Sequence, residues 1–124
     1  MIIYLLFLHF LGDFFLQTRR IALTKSIFLS SLLIHLITLS TVFIIGLWFF
    51  VPHTKLLYFV AGNAAIHGLI DWFIWKLYKA SIKYRYYAKV PIEFKYYEDR
   101  WFYNTIAVDQ FLHISTLIVL WSLI

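Results

Sequence analysis

Three short motifs hold the residues with the widest chemical reach in this chain. His9 and Asp13 form HxxxD in "HFLGDFFLQ", His67 and Asp71 repeat it in "HGLID", and Asp109 and His113 invert it in "DQFLH". Imidazole and carboxylate together serve metal coordination, proton transfer and ion pairing. Residues four apart lie on one helix face, about 6 Å apart along the axis, so each motif presents one of each group to the same side. The chain contains no cysteine. Disulfides, thiolate ligands and cysteine nucleophiles are therefore excluded, and His, Asp, Glu and hydroxyls must carry any chemistry.

The elements that position these motifs are apolar. Of 124 residues, 63% are hydrophobic and 14% charged, outside the range of soluble domains. The sequence predicts an all-α integral membrane protein: a single membrane domain, residues 1–124, with four transmembrane helices in an antiparallel bundle. The spans fall at roughly residues 2–17, 26–51, 56–75 and 105–124, near the ~20 apolar residues a crossing helix needs. Basic residues follow the first span instead of preceding it, and no small-residue cleavage site appears, which argues against a signal peptide.

The loops differ in charge. Arg19, Arg20 and Lys25 follow the first span, Lys55 alone separates the second and third, and seven of the 11 basic residues follow the third. The positive-inside rule then predicts a multi-pass protein of the bacterial inner (cytoplasmic) membrane, with both termini outside. Orientation and anionic headgroups account for the net charge of +5 without nucleic acid. The loop at 76–104 mixes cations with Tyr, and Pro91 interrupts any single helix through it. It reads as an interfacial cytoplasmic segment in which Lys83, Arg85, Lys89, Lys95 and Trp101 meet membrane lipids or a cytoplasmic protein partner.

Within the spans lie Asp13, Asp71 and Asp109, and one histidine in each: His9, His35, His67 and His113. Ionisable groups at membrane depth are expensive unless paired, coordinated or hydrated, so they face the bundle interior. The first and third helices run inward and the fourth outward, which explains the inverted motif. Both orders put His deeper and Asp shallower, predicting two layers with the carboxylates toward the cytoplasm. His35 falls near the imidazole layer; Ser31 and Thr38 flank it, and Asn63 and Gln17 extend the polar stripe. Gly12, "AGNAA" at residues 61–65 and Gly68 favour close helix approach.

Several centres fit these groups. Four His and three Asp suit one or two divalent ions (Zn, Fe or Mn), with Gln17, Ser31, Thr38 and Asn63 orienting the ligands. With an open coordination position, one of Asp13, Asp71 and Asp109 would serve as general base in a metal-dependent hydrolase. A structural network of Asp–His pairs needs no ion. Haem ligation by two His leaves the neighbouring Asp residues unexplained. A proton or ion pathway conflicts with the apolar outer stretches "VFIIGLWFF" and "STLIVLWSLI".

"HFLGDFFLQ", "LLIHLITL", "HGLIDWFIWKLYK" and "DQFLH", in this order and spacing, resemble the small polytopic membrane proteins of bacteria and phages grouped as domain of unknown function 3307. The resemblance covers nearly the whole chain. It implies a four-helix membrane fold and carries over His9, Asp13, Gln17, His35, His67, Asp71, Asp109, Gln110 and His113, the glutamine beside Asp109 joining the outer partners of the site. It implies no substrate.

The leading expectation is an intramembrane His/Asp centre near the cytoplasmic leaflet that binds a divalent metal, in a hydrolase of a lipid-like or membrane-associated substrate. The alternative is a non-enzymatic membrane scaffold or recruitment factor, phage-encoded in one version, whose His/Asp network is structural.

Overall fold

The computed structural model describes residues 1–89 and 95–124. Pro91, expected to break the third loop, lies outside the described residues. Helix α1 (Ile2–Phe10) runs into one π-helical turn (Leu11–Phe15), followed by α2 (Arg19–Thr24), α3 (Leu29–Leu47), α4 (His53–Tyr87), a 3-10 turn (Tyr96–Glu98) and α5 (Arg100–Leu123). The described residues contain no strand. Helices α3, α4 and α5 are long and apolar enough to cross a membrane, with mean hydropathies of 2.0, 1.3 and 1.6; Ile2–Phe15 is a shorter apolar helix.

Local chemistry sets the ends. Thr18 caps α2 by accepting from the Ile21 N–H at 3.3 Å, and Asp99 caps α5 by accepting from the Trp101 N–H at 3.1 Å. Pro52 stands just ahead of α4, where its missing N–H costs nothing. α4 spans 35 residues and continues well past Trp75, correcting the expectation of an interfacial loop from residue 76. Residues 76–87 carry charge but no Gly or Pro, and charge ends an apolar run without ending a helix. The helix stops after Tyr87, and Lys89 adopts a left-handed φ of 53°. α5 likewise begins at Arg100, ahead of the expected start at 105.

Close antiparallel packing brings the motifs together. A Cβ on Gly12 would lie 2.6 Å from Leu39 Cδ1 and 3.3 Å from its Cα, so glycine lets the π turn seat against the backbone of α3. α4 packs between α3 and α5. A hydrogen bond from Gln110 to Asp13 and the neighbouring His9 and His113 rings link α5 back to the first helical stretch. One end of the bundle is filled by an apolar core that includes Leu8, Phe43, Leu47, Phe59 and Leu117. Phe59 meets both Phe43 and Trp121 edge-on at 5.3 Å. The polar motifs occupy the next layer.

Candidate metal centre

The π-helical turn contains Asp13 and is closed by Leu16 N–H donating to the Leu11 carbonyl at 2.9 Å. Such turns widen a helix locally and re-aim one side chain. Here His9 and Asp13, on either side of the α-to-π transition, both point inward and are 3% and 2% exposed. α3 supplies His35, α4 supplies His67 and Asp71, and α5 supplies Asp109 and His113; all are buried.

Asp13, His35, His67 and Asp71 converge on one point. The Nε2 atoms of His35 and His67 are 3.0 Å apart. His35 Nε2 lies 3.2 Å from both Asp13 Oδ1 and Asp71 Oδ2, and His67 Nε2 lies 3.5 and 3.3 Å from the same two oxygens. Two ligand atoms each roughly 2.0 Å from one ion at the tetrahedral angle lie about 3.3 Å apart, the range of these five separations. Asp13 Oδ1 and Asp71 Oδ2 have no hydrogen bond among the described residues despite these short separations. His35 and His67 hydrogen-bond to each other through these nitrogens, and the four residues together could hold a metal ion.

Two trios adjoin this quartet. His9, Asp13 and His113 each offer an atom within 4.8 Å of the others, as do Asp71, Asp109 and His113. His113 stacks on His67 with centroids 3.8 Å apart, its Nδ1 3.4 Å from Asp109 Oδ2. Both nitrogens of His9 and of His113 are buried without a hydrogen-bond partner among the described residues. The expected two layers are therefore merged. An imidazole reaches across the one turn that separates it from its carboxylate, so His35 touches oxygens and nitrogen at the same range.

Lys25 enters the site as well, and sequence reasoning had placed it only among loop charges. Its ammonium is 2.7 Å from Asp71 Oδ1 and 3.6 Å from Asp13 Oδ1, and the residue is 4% exposed. Burial works against the ammonium, but Asp71 and then Asp13 outweigh it and raise its pKa above the ordinary lysine value. A signal for it existed: three carboxylates inside apolar helices need a counter-charge, and no cation lies inside those spans. Lys25 immediately precedes the second.

The outer partners divide. Gln110 donates to Asp13 Oδ2 at 2.9 Å and to Asp109 Oδ2 at 3.1 Å, bridging two of the three carboxylates. Gln17 donates to the Asp13 backbone carbonyl at 2.9 Å. Asn63 is buried one turn before His67. Ser31 and Thr38 do not orient His35: Ser31 accepts from the Thr24 hydroxyl at 2.8 Å, and Thr38 bonds to the Ile34 carbonyl of its own helix at 2.9 Å. A hydroxyl on a short side chain finds the nearest backbone carbonyl or loop hydroxyl first.

Arg85 also departs from expectation. It is 8% exposed and forms a bidentate pair with Asp99, Nη1 to Oδ1 at 3.0 Å and Nη2 to Oδ2 at 2.7 Å. It is thus an internal staple between α4 and the start of α5. Lys83, Lys89, Lys95 and Trp101 remain exposed. The staple stayed hidden because Arg85 and Asp99 meet only once the chain folds back.

No curated protein and no solved structure matches this chain. The profile of one family, described as "Protein of unknown function (DUF3307)", matches residues 1–124. Since that match covers the whole chain, with the clustered His and Asp residues inside it, the protein belongs to the DUF3307 family.

Proposed function

We propose that this chain is a four-span inner-membrane protein, its termini outside, whose His/Asp centre binds a divalent metal and hydrolyses a lipid-like or membrane-associated substrate. The observation that carries the metal is the Asp13–His35–His67–Asp71 quartet, with edges that match a roughly 2 Å coordination sphere. Charge points the same way. Three buried carboxylates against the one buried ammonium of Lys25 leave two negative charges, which a single divalent cation neutralises. The N₂O₂ donor set suits Zn, with Fe or Mn as the other candidates.

Membrane placement is supported by the inverted surface. Ile37, Ile45, Phe49, Leu57 and Phe111 are exposed while the Asp and His residues of the motifs are buried.

Within the site the chain's own residues take separate roles. Asp13 and Asp71 would hold the cation with His35 and His67, and Lys25 offsets Asp71 Oδ1 at 2.7 Å. A bound divalent ion would supply Lewis acidity toward a water or an ester oxygen. Asp109 lies outside the quartet, lines the adjoining cavity and keeps Oδ1 without a hydrogen-bond partner among the described residues, so it is the carboxylate available as general base. Gln110 fixes its other oxygen.

Elemental analysis of purified protein should find one or two ions per chain, falling sharply in Asp13→Ala and His113→Ala. Metal-free protein that stays folded and active overturns the reading. The exposed Lys83, Lys89 and Lys95 favour a second reading, a scaffold that recruits a cytoplasmic partner. Reversing those three charges should then abolish recruitment with metal content intact; unchanged recruitment counts against it.

A further inference from the structure

A cavity of about 390 Å³ opens beside the His/Asp centre, within the size range of small-molecule sites. Asp13, Asp109 and Gln110 form its inner wall, and Phe14, Leu23, Trp75, Phe102 and Ile106 give it an apolar body. Tyr78 belongs to this wall and also donates to Asp99 at 2.9 Å, so the Arg85–Asp99 staple holds the cavity's aromatic side in place.

The cations of the lining decide what fits. Lys25 is committed to Asp71 and Asp13. Lys79 donates to Ser26 Oγ at 2.6 Å, which uses one of its three protons. Arg19 lines the same space and is exposed. Among the described residues neither Arg19 nor Lys79 has a carboxylate partner. An apolar body beside two uncommitted cations matches a ligand with a hydrocarbon chain and a doubly charged anionic head.

We infer that this cavity binds a phosphate-bearing amphiphile, its head met by Arg19 and Lys79 and its chain by Trp75, Phe102 and Ile106. That this amphiphile is also the substrate rests on the hydrolase reading above; its binding does not. Asp13 and Asp109 line the same cavity as Arg19 and Lys79, which connects the head site to the His/Asp centre.

The test is calorimetric titration of the full chain, in an uncharged detergent, with lauroyl lysophosphatidic acid, lauroylglycerol and inorganic phosphate. The lysophosphatidic acid should bind more tightly than either of the others, and Arg19→Gln and Lys79→Gln should each weaken it by about tenfold. Arg19 is exposed, so its variant keeps the fold. Filling the space with Ile106→Trp should weaken the lysophosphatidic acid and leave inorganic phosphate unchanged. Equal affinity for lysophosphatidic acid and lauroylglycerol overturns the proposal, because the head would then be unread. Inorganic phosphate binding as tightly as the amphiphile also overturns it, because the chain would be unread. Repeating the titration on chelator-treated protein separates the two ideas. Selective binding in both preparations, when the protein carries no metal as purified, supports the amphiphile site while removing the metal centre, and absence of selectivity in protein that purifies with metal does the reverse.

Discussion

Among the described residues two clusters bury charge, and they are built differently. In the Arg85–Asp99 staple every acid oxygen is satisfied: Asp99 accepts from two guanidinium N–H groups, the Tyr78 hydroxyl and the Trp101 backbone N–H. In the His/Asp centre the groups lie 3.0–3.5 Å apart and Lys25 meets Asp71 Oδ1 at 2.7 Å, yet Asp13 Oδ1, Asp71 Oδ2 and the nitrogens of His9 and His113 lack hydrogen bonds among the described residues. A satisfied pair orders the fold and needs nothing further. An unsatisfied cluster of lone pairs is costly as it stands and becomes favourable once a cation sits among them. The contrast sets a satisfied ion pair against a cluster that could hold a metal ion.

The largest expected effect tests the unsatisfied cluster. Asp71→Ala removes a quartet ligand and the partner of Lys25, and bound metal should fall from about one ion per chain to below about a tenth by elemental analysis. Next comes the staple. Arg85→Met strands a buried carboxylate and should cost about 3 kcal/mol of stability in denaturant unfolding, with metal content unchanged. If it removes the metal too, the two clusters are not independent. A chelator sharpens the comparison from the other side: it should lower the unfolding temperature of the parent and of Asp99→Asn alike, by the equivalent of about 3 kcal/mol at a hundredfold excess of metal over its dissociation constant, and leave Asp71→Ala unmoved.

Acid should reveal the staple. Arg85 holds the Asp99 carboxyl below its ordinary value, helped against burial by Tyr78 and the Trp101 N–H. A depressed native pKa contributes stability that is present above the unfolded value of about 4 and is lost as pH falls through the native one. The stability gap between parent and Asp99→Asn, followed by thermal unfolding, should therefore shrink below about pH 4. The smallest effect is expected at Ser31, whose hydroxyl meets only Thr24 at the edge of the site. Ser31→Ala should change stability by less than about 0.5 kcal/mol and metal content not at all.

Much of the site was legible before folding. His9, Asp13, His67, Asp71, Asp109 and His113 announce themselves by the spacing of four, and the inverted order in "DQFLH" anticipates a helix running the other way. Ser31 and Thr38 misled because sharing a face with His35 is weaker than the pull of a nearby carbonyl or hydroxyl. The length of α4 was underestimated for a related reason: hydropathy reports where a helix leaves an apolar environment, and the backbone ladder through Tyr87 does not depend on it.

By itself the sequence determined the helices, the apolar outside and the set of His and Asp residues that look inward, because period and hydropathy are properties of neighbours along the chain. Only the tertiary structure decided which atoms meet. Gln110 reaches Asp13 across 97 positions and His35 meets His67 across 32. Lys25 leaves its loop for Asp71, and Arg85 turns from the surface to Asp99. Such contacts depend on how closely helices approach, which glycine at position 12 permits and no local pattern encodes.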